Sequence, residues 1–131
     1  MKLVLTACGL ALVLAACAPR REAPPPLSSL DAYKRTVALD ILQHAPGTYC
    51  QPGEEMLKSV VILEIAIDAE GRLLDATVVR SSGHPELAQR ALDTVAASAP
   101  FTPPVAAQGV QFLETFLFRD DECFQIRSLV Y

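Results

Sequence analysis

The sequence predicts an α+β domain, an antiparallel sheet of three to four strands with two helices on one face, in the order α-β-β-α-β-β. Three observations carry this prediction. Between residues 57 and 81, apolar residues alternate with period two on both sides of a short turn, Asp68-Ala69-Glu70-Gly71. Two segments, one ending before Pro46 and one beginning at Pro85, carry apolar residues at helical spacing instead. An aromatic-rich run at residues 110–118 follows the second of them. A sheet that buries one face under segregated helices is the layered solution for such an order.

The first helix begins at Ser28 or Ser29, either of which can cap it, with Asp31 in the first turn where the helix dipole favours negative charge. Leu30, Tyr33, Val37, Ile41 and Leu42 form its stripe, and Lys34, Arg35 and Asp40 lie mostly off it. Pro46-Gly47 stops the helix, and a polar loop holding Cys50 runs to Glu55. In the first strand Ser59, Val61, Leu63, Ile65 and Ile67 share one face, while Val60, Ile62, Glu64, Ala66 and Asp68 share the other. Gly71 supplies the turn's positive φ, and Leu74, Ala76 and Val78 resume the alternation, so residues 57–81 form an antiparallel hairpin. Ser82-Gly83-His84 breaks the strand, and Pro85 suits the first position of a second helix, because its missing N–H has no partner there anyway. Leu87, Ala91, Leu92 and Val95 make the buried stripe, with Glu86, Gln89, Arg90 and Asp93 facing water. Pro100, Pro103 and Pro104 prevent continuation. After the third strand comes an acidic turn at 119–122, then a short fourth strand marked by Phe124, Ile126 and Val130.

Ahead of this domain, Lys2 precedes an apolar stretch at residues 3–16, as long as a signal-peptide core and too short to span a bilayer. The run Leu14-Ala15-Ala16-Cys17 resembles a bacterial lipoprotein signal, an aliphatic residue and two small residues before Cys. That resemblance implies cleavage before Cys17, acylation (palmitate among the acyl chains) of its sulfur and its new amino group, and stable attachment to a membrane. Ala18, where Asp would retain a lipoprotein at the inner membrane, implies the periplasmic face of the outer membrane. The chain thus divides into a signal peptide at 1–16, the lipidated Cys17 and a Pro-rich tether at 17–27, and a domain at 28–131. Pro24-Pro25-Pro26 makes the tether extended, with a reach of roughly 30 Å. Without residues 1–16 the chain has 115 residues and a net charge of −5, since Lys2 is the one charge lost. An acidic chain without clustered Lys and Arg outside the tether argues against nucleic acid as a partner.

From about residue 60 to 118 the chain resembles the C-terminal domain family of TonB and TolA. The resemblance is carried by the turn 68–73, the run Val78-Val79-Arg80-Ser81-Ser82-Gly83-His84-Pro85-Glu86-Leu87, the segment Ala99-Pro100-Phe101-Thr102-Pro103-Pro104 and the closing Phe116-Leu117-Phe118, a little under half of the chain. It implies a periplasmic domain that binds envelope proteins, often by adding an extended partner peptide to an exposed sheet edge. By analogy that edge is the third strand, with Val110, Phe112, Glu114, Phe116 and Phe118 as its contact residues. The chain departs from energy-transducing members: it has no inner-membrane helix, a short tether, and a fourth strand able to pair with the same edge. Energy transduction is therefore not implied.

Catalysis and metal binding find little support. Ser81, Ser82 and His84 lie too close together in a tight turn to aim a hydroxyl at an imidazole, and Ser82 and His84 read more simply as helix caps. His44, Cys50, His84 and Cys123 match no zinc spacing, and the scattered glycines form no phosphate loop, so no cofactor or small-molecule substrate is predicted. Cys8 leaves with the signal and Cys17 carries lipid, which makes Cys50 and Cys123 a pair in an oxidising compartment and predicts a disulfide. Two readings of function remain open. In one, the domain captures an extended periplasmic segment at its third or fourth strand, with Phe112, Phe116, Phe118 and Phe124 forming pockets or core. In the other, it is a structural subunit of an envelope assembly, docked through Asp120-Asp121-Glu122 or a helix face.

Overall fold

The computed structural model describes residues 29–45, 49–50 and 56–130, in the order α1 (Ser29–His44), β1 (Leu57–Ile67), β2 (Leu73–Ser81), α2 (Pro85–Ser98), β3 (Val110–Arg119), β4 (Phe124–Ile126) and α3 (Arg127–Val130). The predicted elements are present in the predicted order. The fourth strand is shorter than expected, because the chain turns into the single-turn helix α3 after Ile126 and takes Val130 with it. The strands form a wholly antiparallel sheet in the order β2-β1-β3-β4.

The core follows from the register of β1 against β3. Val61 pairs with Phe116, Leu63 with Glu114 and Ile65 with Phe112, so the odd residues of β1 and the even residues of β3 share one face. Both helices cover that face, with Val37, Ala38 and Ile41 from α1 and Leu87, Ala91 and Val95 from α2 buried in the same cluster. Phe116, Phe118 and Phe124 pack ring to ring at 5.3–6.4 Å between centroids, tying β4 into the core. Each fully buried side chain of this size contributes about 1.5–3 kcal/mol. The stripe on α1 is displaced from expectation: Leu30 remains 42% exposed, and Ala38 is buried beside Val37 and Ile41.

The motifs that carry the family resemblance are the corners of this fold. The Asp68 carboxylate accepts the N–H groups of Glu70 and Arg72 and pairs with the Arg72 guanidinium at 2.8 Å, which closes the β1–β2 turn. These bonds, the Arg72 side chain's above all, hold the Asp68 carboxyl below its usual range. Gly71 has φ +87° and its carbonyl accepts Phe101 N–H at 2.8 Å; a Cβ there would run into the Phe101 carbonyl. Next to it, Asp40 of α1 accepts both the N–H and the hydroxyl of Thr102. Ser82 also bonds inward: its N–H donates to the Val60 carbonyl and its Oγ accepts the Val60 N–H at 2.8 Å. It therefore locks the hairpin to its exit and does not cap α2. His84 occupies the N-cap position without a side-chain capping bond, its Nδ1 lying 3.3 Å from Glu86.

Candidate protein-binding edge

The sheet has two outer strands over most of its length, and they differ. β2 pairs with β1 alone, and its register slips twice, between Ile62 and Leu63 and again between Ala66 and Ile67. At each slip the extra residue lies in β2: Val79 is passed over between the partners Arg80 and Val78, and Leu74 between Asp75 and Leu73. Those two residues are the exposed apolar side chains of the strand, at 55% and 66%. Leu74 was expected in line with Ala76 and Val78, and the bulge is what turns it outward.

β3 pairs with β1 without interruption from Val110 to Phe118. Its outer side can be read from the hydrogen bonds. Arg119 N–H donates to the Cys123 carbonyl at 3.0 Å on the β4 side, and backbone groups of a strand alternate sides, so Gln111, Leu113, Thr115 and Leu117 also point their N–H and C=O away from β1. β4 pairs with Phe116, Leu117 and Phe118 and then ends. Thr115 N–H is taken by Glu114 Oε1 at 3.0 Å, while Glu114 Oε2 accepts the Ser128 hydroxyl at 2.5 Å. Glu114 is 2% exposed, a buried carboxylate with both oxygens engaged. Gln111 and Leu113 thus face outward with no strand beside them among the described residues. A groove of about 520 Å³ adjoins them, bounded by Lys34 and Arg35 of α1, Leu113 and Glu114 of β3, and Arg127 and Ser128 of α3.

The side chains expected to contact a partner are used otherwise. Phe112, Glu114, Phe116 and Phe118 point into the core with Phe124, and Val110 is half-buried beside it. Any partner at this strand meets backbone, not these side chains. The alternation of the phenylalanines, matching the buried set of β1, was the sequence signal for this. The acidic turn is held to the domain while Asp120, Asp121 and Glu122 stay exposed: Glu122, at φ 63°, pairs with Lys58 at 3.1 Å and its carbonyl accepts Arg90, and Asp121 accepts the Cys123 N–H.

Cys50 and Cys123 are joined in a disulfide with Cα atoms 4.9 Å apart. Cys50 N–H donates to the Phe124 carbonyl and the Tyr49 ring meets the Phe124 ring edge-on, so the segment ahead of β1 is fastened to β4. Cys17 and the tether lie outside the described residues, and no helix among the described residues is long and apolar enough to cross a membrane.

The fold is an antiparallel sheet with helices on one face and, in β3, a strand covered over only part of its length among the described residues. Residues 54–119, half of the chain, match the model for the Gram-negative bacterial TonB protein C-terminal family, and the protein belongs to that family. It is a family of periplasmic protein-interaction domains, not enzymes. No curated protein and no solved structure matches the chain.

Proposed function

We propose that the protein is a periplasmic lipoprotein, held at the outer membrane by acyl chains on Cys17, whose domain takes up an extended segment of another envelope protein as a strand beside β3. The observation that supports this is the half-covered edge: β4 closes Phe116 to Phe118, and the outward backbone groups of Gln111 and Leu113 remain available to pair. The tether, roughly 30 Å by its composition, keeps this edge near the membrane that carries the lipid. Leu113→Pro tests the reading, since it deletes an outward N–H and leaves the bonds to β1 in place. With an unchanged melting temperature, the variant loses the partners that the wild type captures in a cross-linked pulldown from the envelope, and Cys17→Ala releases the protein from membranes. Retention of the same partners by Leu113→Pro refutes strand capture.

A second reading, a structural subunit without peptide capture, draws on a different surface. The face of the sheet opposite the helices carries Leu57, Val60, Ile62 and Leu117 around a groove of about 590 Å³. In that case Leu117→Asp abolishes co-purification with the assembly and Leu113→Pro does not.

A further inference from the structure

Lys34, Arg35 and Arg127 stand at the open end of the β3 edge, around the groove beside Leu113. None of the three forms an ion pair with another described residue. Of the two acidic residues of the same groove, Glu114 is engaged by Thr115 and Ser128, and Asp31, three and four positions ahead of Lys34 and Arg35, is not free either. In a chain with a net charge of −4, a place where cations outnumber acids and form no ion pair with another described residue runs against the general trend. All three cations come from α1 and α3, outside the residues 54–119 matched by the family. The shared sheet supplies a backbone template, and the flanking helices of this chain add charge to it.

Glu114 sets where that charge acts. By taking the Thr115 N–H it ends the available edge at Leu113, so a strand added at Gln111 and Leu113 runs out beside the three cations. An added strand lies about 4.8 Å from β3, which puts its side chains within reach of long Lys and Arg side chains from both helices. We infer that the segment captured beside β3 carries an acidic side chain, Asp or Glu, which Lys34, Arg35 and Arg127 receive. This rests on strand capture at β3 and specifies the chemistry of the captured segment.

The probes are N-acetylated, C-amidated peptides of about ten residues, alternating Val and Thr, with Glu or the isosteric Gln placed at each position in turn. Binding to the full-length protein in detergent is read by fluorescence anisotropy. At one position Glu binds about fivefold more tightly than Gln, the gain expected from exposed charge pairs, and the preference falls as salt is raised. A Lys34→Gln, Arg35→Gln, Arg127→Gln variant loses the preference and keeps the affinity for the Gln peptide. Equal binding of Glu and Gln peptides, both abolished by Leu113→Pro, overturns the acidic preference and leaves strand capture standing. A gain seen only when the terminal amide is replaced by a free carboxylate overturns the side-chain assignment in favour of a chain terminus. Absence of binding by every peptide overturns both readings.

Discussion

The two sides of the sheet solve the same problem differently. β2 has no strand on its outer side among the described residues, yet its two bulges break the straight ladder that another chain would need, a common defence of exposed edges. β3 is regular along its pairing with β1, and its protection comes from outside: β4 over three residues, and Glu114 over one more N–H. The longer exposed edge is therefore the poorer template, and the shorter one, straight and flanked by cations, is the better. Openness alone does not make a strand a binding site; regularity and surroundings decide.

Removing the seal on β3 should have the largest effect. Phe124→Ala empties a wholly buried ring site between Phe116 and Phe118 and is expected to cost about 3–5 kcal/mol, measured by denaturant unfolding. Hydrogen exchange at Leu117, opposite Gln125, should rise more than at Thr77, opposite Glu64. Reducing the Cys50–Cys123 bond, which closes a separation of 73 residues, should lower stability by about 4 kcal/mol in the chain-entropy picture, seen as a shifted midpoint in the presence of reductant. On the β2 side, Gly71→Ala should cost about 1–3 kcal/mol, because it combines a left-handed φ with the Phe101 carbonyl.

Alkaline pH probes the α1 flank of β3. Burial, and then the charges of Asp40 and Asp68, push the Tyr33 phenol from 10.0 up to about 12, so the fold favours its neutral form. That contribution is complete below pH 10 and is lost as pH rises from 10 to about 12. Phenolate absorbance should show the late titration, and stability should fall less steeply over this window in Tyr33→Phe, which also lacks the bond to the Thr102 carbonyl. The smallest effect belongs to the β2 bulges: Leu74→Thr and Val79→Thr should each stay within about 0.5 kcal/mol of wild type by thermal melting, since both side chains already face water. A large loss at either would mean that the exposed bulges are packed against something.

Much of this was legible residue by residue. The buried face of β1, the hairpin turn, Pro85 at the start of α2 and the pairing of the two domain cysteines all follow from periodicity, turn chemistry or cysteine arithmetic. Leu74 was misplaced because a bulge inserts a residue without a local sequence mark. Family analogy pointed to a strand and left its phenylalanines as pockets or core; which face they occupy depends on the register against β1. Lys34 and Arg35 were read as off the apolar stripe, but nothing in their own segment says that Arg127 joins them. Glu114 was expected at the binding edge; its partner Ser128 lies 14 positions away.

From the sequence alone came the identity and order of the elements, because alternation, helical spacing and turn geometry act over a few residues and leave their pattern in the chain; the family came from the resemblance of its motifs and the cysteine pair from counting cysteines. The tertiary structure decided which backbone groups stay unpaired and which charges gather beside them. Those depend on where β4 stops along β3 and how α1 and α3 meet across its end, and such meetings are set by packing between residues far apart in the chain.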